Sequence, residues 1–140
     1  MDMPPPDQGI IARKGRIVER LRAALPGDAV IDAPEELRVY ECDALTAYRC
    51  PPLAAVLPRT TEEVAAVLRI CSDEGVPVVP RGAGTSLAGG SMPTADAVIL
   101  GLARMNRVLA ADYENRFVHV EAGRTNLSVS GAVEAEGFFY

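Results

Sequence analysis

The sequence predicts a mixed α/β (α+β) fold: a βαβ unit whose sheet is extended by antiparallel strands. Three observations carry that expectation. An apolar run, Leu53-Ala54-Ala55-Val56-Leu57-Pro58, leads into a capped amphipathic helix and then a second apolar run, Val76-Pro77-Val78-Val79. Strand, helix and strand in that order close as a parallel pair with the helix lying across one face. The stretch Pro80-Arg81-Gly82-Ala83-Gly84-Thr85-Ser86-Leu87-Ala88-Gly89-Gly90 follows the second strand directly. It therefore lies at the end of a buried strand where α/β sheets bind their ligands. Further on, two alternating segments read as a hairpin.

Length and composition set outer bounds. At 140 residues the chain can form one ordinary domain with a sizeable core, and 49% apolar residues suit a folded protein. A net charge of −5 with no Lys/Arg-rich run argues against nucleic acid as a partner. No apolar stretch is long enough to span a bilayer. Met1-Asp2-Met3-Pro4-Pro5-Pro6 has neither the basic nor the apolar region of a secretory leader, so cytoplasm is the expected location.

Met1 to Gly9 is proline-rich and reads as a mobile lead-in. Ile10, Ile11, Ile17, Val18, Leu21 and Leu25 recur near helical spacing and predict one helix to Leu25, stopped by Pro26-Gly27. Arg13, Lys14, Arg16, Glu19, Arg20 and Arg22 between them read as a solvated face. Val30-Ile31 is a short strand, and Ala33–Leu37 a helical turn with proline near its start. Pro51-Pro52 divides a helical lead-in, residues 1–50, from a compact unit, residues 51–140. After strand Leu53–Pro58, Thr60 and Glu63 form a capping box. Val64, Val67, Leu68 and Cys71 make a single stripe, and Gly75 ends the helix. Ala97–Leu102 is a strand and Ala103–Arg107 a polar turn, in which Arg104 and Arg107 read as solvated, with contact to phosphate as the alternative. Val108–Asp112 and Phe117–Glu121 make the hairpin; Thr125–Ala135 is helical up to Gly137. Phe138-Phe139-Tyr140 begins a strand or a buried segment. Three aromatics at the terminus suggest an end inside a domain.

The glycine stretch carries the chemistry. Glycine admits positive φ and lets a ligand approach the backbone, so successive amides can face one concavity and hold an anion. Arg81 adds positive charge; Thr85 and Ser86 add hydroxyls. A Walker loop is excluded, because no lysine lies within Gly82–Gly90. The dinucleotide fingerprint begins at Gly82 and Gly84 but fails at Leu87, and a turn rather than a helix follows. The reading is a pyrophosphate cradle made of loop amides between two strands. The alternative is a glycine-rich connection that only turns the chain.

Other candidates are weaker. Cys42, Cys50 and Cys71 lack metal-like or disulfide-framework spacing, and Cys71 falls on the buried side of its helix. His119, the sole histidine, points opposite to Val118 and Val120 and has no cluster around it to hold a metal. Tyr40 and Asp43 suit structural or turn roles. No residue is assigned as catalytic.

These residues bring the chain to a resemblance. Pro80–Gly90, with the strand–helix–strand before it, resembles the flavin domain of the vanillyl-alcohol oxidase / p-cresol methylhydroxylase (PCMH) type. Tyr40-Glu41-Cys42-Asp43-Ala44-Leu45-Thr46-Ala47-Tyr48-Arg49 and Arg81-Gly82-Ala83-Gly84-Thr85 resemble, more narrowly, the glycolate oxidase D-subunit group of FAD-linked D-2-hydroxy-acid oxidases. The likeness runs from about Ile31 to the last residue. It implies that Pro80, Arg81, Gly82, Ala83, Gly84, Thr85, Ser86, Gly89 and Gly90 contact the FAD pyrophosphate. Ser86 stands where relatives often carry glycine. Thr85 occupies the position of the histidine that links flavin in covalent members, which implies non-covalent FAD. The resemblance further implies a 2-hydroxy-acid substrate and hydride transfer to flavin. It also implies partner oxidase subunits, including an iron–sulfur electron acceptor, through which the protein could sit peripherally on the inner membrane. The missing part of the flavin site, the substrate domain and the catalytic residues are expected beyond Tyr140. A D-lactate dehydrogenase, an alkyl-dihydroxyacetonephosphate synthase or a non-catalytic assembly module are the other readings.

Overall fold

The computed structural model describes residues 4–140; residues 1–3, the start of the proline-rich lead-in, lie outside the described residues. The chain enters through α1 (Gln8–Ala12), capped by the Asp7 carboxylate, which accepts from the Gly9 and Ile10 amides. At Arg13 (φ −98°, ψ 9°) the backbone leaves helical geometry, and α2 (Lys14–Ala24) starts at the next residue. The single helix predicted over this segment is thus two. The cause is local: Arg13 N turns back to the Ile10 carbonyl at 2.9 Å, closing α1 after one turn.

Strand β1 (Val30–Ile31), helix α3 (Pro34–Leu37) and a 3-10 turn (Arg38–Tyr40) come next. They precede β2 (Ala54–Val56), α4 (Thr61–Glu74), β3 (Val78–Arg81) and β4 (Val98–Gly101). The four strands lie in the order β1-β2-β4-β3. β2, β4 and β3 are mutually parallel, and β1 runs antiparallel to β2. The βαβ unit is parallel as expected, but β4 enters between its two strands. β5 (Val108–Asp112) and β6 (Phe117–Val120) pair antiparallel as a separate two-stranded sheet. The hairpin forms as predicted, but the larger sheet owes its mixed character to β1. Helix α5 (Asn126–Val133) and a 3-10 turn (Glu134–Glu136) follow. Phe139 and Tyr140 are exposed, so the terminal aromatics are neither strand nor core; Phe138 packs on Tyr113 with centroids 5.4 Å apart.

Alternation along the strands sorts the core into two faces. Ala54, Val56, Val98 and Leu100 face α1, α2 and α4, meeting Ile10, Ile17, Val18, Leu21, Val67 and Cys71. Ala55, Ile99 and Val79 face the other way, beneath Leu37 and Tyr40. Helices therefore cover both faces, and residues on either side of position 51 share one core. On α4 the buried residues are Val67, Ile70, Cys71 and Glu74. Leu68, counted in the predicted stripe, is 45% exposed, because the helix is rotated to carry Ile70 inward. Among the described residues no helix is long and apolar enough to cross a membrane.

Candidate functional site

The three parallel strands end on one side of the molecule, where the loops after β2, β4 and β3 emerge. The glycine stretch is the longest of these. Pro80 and Arg81 close β3, in register with Leu100 and Gly101. The backbone then leaves the sheet, with Gly84 at φ +71° and Gly89 at φ +74°. A non-glycine residue resists that left-handed region, because its Cβ crowds the following carbonyl. Gly82, Ala83, Thr85, Leu87, Ala88 and Gly90 are exposed; Gly84, Ser86 and Gly89 are half-buried.

Within the loop, Ala88 N donates to Ser86 Oγ (3.2 Å) and Met92 N to the Gly89 carbonyl (3.1 Å). Among the described residues the amides of Gly82, Ala83, Gly84 and Thr85 have no acceptor in the protein. Successive free amides on a backbone that turns through a left-handed residue are the arrangement in which backbone donors hold an anion. Ser91 continues the loop. It is buried (7% exposed), and its Oγ has no partner. A buried hydroxyl without a partner is costly unless a ligand or water completes it. Free amides, hydroxyls and no carboxylate between Pro80 and Ser91 make a donor set that fits a pyrophosphate. Ser91 was missed by sequence reasoning, although its place directly after Gly89-Gly90 was a usable signal.

Arg81 sits differently from the other loop residues. Its Nη1 donates to the Cys42 carbonyl at 2.7 Å, and its guanidinium carbon lies 5.8 Å from the centroid of the Tyr40 ring. Arg81 thus joins the glycine stretch to the Tyr40–Arg49 segment, the two segments that sequence reasoning singled out together. Asp43 is buried and makes a turn, its Oδ1 accepting from Leu45 N at 2.9 Å.

The remaining candidates lie elsewhere. Arg104 pairs with the Asp28 carboxylate (3.1 Å), which also holds Arg59 (3.0 Å). Arg107 binds Glu121 through Nε (3.0 Å) and Nη2 (2.7 Å), and these bonds lower the Glu121 pKa. The Arg107 side chain is solvent-exposed as read, with an ion pair added, whereas Arg104 is half-buried. His119 is exposed on β6. Burial pushes the Cys71 thiol up to about 11; Cys42 and Cys50 are half-buried, and all three are free. Among the described residues no group of three or more His, Cys, Asp or Glu could hold a metal ion.

Comparisons with known proteins bear on the family and the fold. The family described as "FAD binding domain" matches residues 52–140. Glycolate oxidase subunit GlcD of Escherichia coli K12 is 41% identical over 124 residues, covering 89% of this chain and 25% of that one. The mitochondrial D-2-hydroxyglutarate dehydrogenase of Bos taurus is 37% identical over 118 residues, covering 84% of this chain and 22% of the relative. Among solved structures, p-cresol methylhydroxylase superposes with a TM-score of 0.73 at 24% identity, covering 94% of this chain and 26% of that one, a likeness of fold. The chain spans about a quarter of the length of the curated relatives it matches. With well over half of its residues inside the matching span, the chain belongs to the FAD binding domain family.

Proposed function

We propose that this chain is the first part of the flavin site of an oxidoreductase acting on D-2-hydroxy acids, of the glycolate or D-lactate kind. The loop Pro80–Gly90 holds the FAD pyrophosphate without a covalent link. The observation that carries this reading is the set of free amides at Gly82–Thr85, on a left-handed turn at the carboxyl end of β3. Gly82, Ala83, Gly84, Gly89 and Gly90 let the backbone approach the phosphates. Thr85 and Ser86 offer hydroxyls, and Pro80 and Arg81 fix where the loop leaves the sheet. FAD, when bound, supplies the hydride acceptor for oxidation of the substrate α-carbon; the chain's own part is binding and orientation. A non-covalent site agrees with the composition of the loop, which has no histidine, cysteine or tyrosine from Pro80 to Ser91.

The relatives' names favour a small 2-hydroxy acid as substrate, and the word "subunit" in one of them favours partner subunits. We read one of these partners as an iron–sulfur acceptor of the electrons. Three free cysteines agree with a reducing, cytoplasmic setting.

The test is an absorption spectrum of the complete natural protein, followed by acid precipitation. A flavin band that passes into the supernatant, with turnover on glycolate, D-lactate or D-2-hydroxyglutarate, is the expected result. Colourless protein that takes up no FAD on reconstitution would overturn the reading. Flavin that stays in the pellet would overturn its non-covalent part.

A further inference from the structure

We propose that Arg81 is a positioning residue, a strut that sets the path of Gly82–Gly90 from beneath rather than a ligand of the phosphates. The inference rests on reading that loop as the FAD site. Alternation along β3 places Val79 and Arg81 on the face that also carries Ala55, Ile99, Leu37 and Tyr40. The Arg81 side chain therefore leaves the sheet toward the 3-10 turn at Arg38–Tyr40. There its Nη1 meets the Cys42 carbonyl at 2.7 Å, and its plane lies near the Tyr40 ring, 5.8 Å from the centroid. Both contacts come from one short segment, and that segment is itself pinned. Cys50 N donates to the Glu41 carbonyl at 2.8 Å, Arg49 pairs with the Glu41 carboxylate at 2.8 Å, and Asp43 ties Leu45 N.

The loop also closes on the guanidinium. A Cβ at Gly84 would stand 2.6 Å from Arg81 Cζ and 2.7 Å from Nε, so the backbone at 84 runs directly over the flat group. Gly84 is also the first left-handed residue of the loop. The guanidinium thus fills the space between a fixed abutment, Tyr40–Cys42, and the residue at which the loop changes direction. The abutment lies outside the span that matches the family, residues 52–140. Segment 38–50 therefore bears on the loop through Arg81.

Charge and shape separate experimentally, because lysine keeps the charge but has no plane to stack on Tyr40 or to lie under Gly84. The experiment measures the FAD dissociation constant of the complete natural protein, stripped of flavin, by quenching of FAD fluorescence across a salt series. Thermal unfolding of each apoprotein serves as the folding control. Arg81→Lys is expected to weaken FAD at least tenfold with the salt slope of the wild type. Tyr40→Leu, which leaves the charge in place, should weaken it comparably. The double variant should be no worse than the weaker single, because both remove the same support. Tyr40→Phe keeps the ring and should bind as the wild type does, so it answers the question even if Tyr40→Leu fails to fold. Wild-type affinity in Arg81→Lys, or a large loss in Tyr40→Phe, would overturn the strut. A wild-type protein that takes up no FAD would instead overturn the reading of the loop.

Discussion

Gly84 answers to two constraints at once: a left-handed backbone (φ +71°) and the Arg81 guanidinium where a Cβ would stand. Gly82, two residues earlier, answers to neither, since a Cβ there would meet nothing within 4 Å. The two glycines therefore separate cleanly on substitution. Gly84→Ala should cost about 1–2 kcal/mol for the left-handed conformation alone, with a further loss as Arg81 is displaced. Gly82→Ala should stay within about 0.5 kcal/mol, as surface substitutions usually do. Urea unfolding of both apoproteins checks this, and equal losses would remove the special place of Gly84. The thiols give a second prediction at this scale. With its pKa pushed up to about 11 by burial, Cys71 is almost wholly protonated at pH 8. Alkylation followed by mass spectrometry should label Cys42 and Cys50 in the native protein and Cys71 only after unfolding. The residue types of the site were legible in the sequence, because glycines, hydroxyls and the absence of carboxylates are local facts. The destination of Arg81 was not legible. It depends on which face of β3 carries the side chain and on a segment some forty residues earlier.

At the scale of elements, the polar junction of the amino-terminal helices with α4 centres on one carboxylate. Glu74 is buried (5% exposed) at the end of α4 and receives Arg13 Nη1 (2.6 Å), Arg20 Nη1 (2.7 Å) and Arg16 Nη2. Hydrogen bonds from Arg16 and Arg20, outweighing desolvation, lower its pKa from the ordinary 4.5 to about 2. A carboxylate held below its unfolded value stabilises the fold fully above that value, and the contribution is lost as pH falls through the folded one. Glu74→Gln should therefore lower stability at pH 7, and its deficit should shrink as pH falls from about 4.5 to about 2. Denaturant titrations of both proteins across that range check it; a deficit independent of pH would mean that packing, not charge, links the helices. Arg13 and the basic residues of α2 were visible in the sequence, yet their periodicity alone read as a solvated face. Their partner was hidden because the α4 stripe was read through Leu68 rather than Ile70, a rotation that turns Glu74 toward α2. Similarly, the helix, the cap at Thr60 and the strand directions were legible from short-range spacing. The insertion of β4 between β2 and β3 was not, because strand order is set by packing between distant segments.

At the scale of the whole molecule, the matching span and the physical unit do not coincide. Residues 52–140 match the family, but Ile10, Ile17, Val18, Leu21, Leu25 and Val30 belong to the larger core cluster. β1 also supplies the antiparallel edge that pairs with β2. Without residues 8–31, Ala54, Val56, Val98 and Leu100 would lose much of the layer that covers them, and the edge of β2 would lie open. A sheet bared on one face loses apolar burial comparable to its small net stability. A chain beginning at Pro52 should therefore fail to unfold cooperatively, with loss of near-ultraviolet circular dichroism and binding of a hydrophobic dye. In the intact protein the same dependence should appear as a point effect. Leu21 is fully buried, so Leu21→Ala should cost about 2–5 kcal/mol, as large-to-small core changes do. If the shortened chain melts cooperatively and Leu21→Ala costs under about 1 kcal/mol, the amino-terminal helices are an appendage to a self-sufficient unit. If both losses appear, the first thirty residues are as much a part of the flavin domain as the glycine loop. Arg81 and Glu74 are then two polar ties, beside the β1–β2 pairing and the shared apolar core, that fix segments outside the family span to the unit that carries the loop.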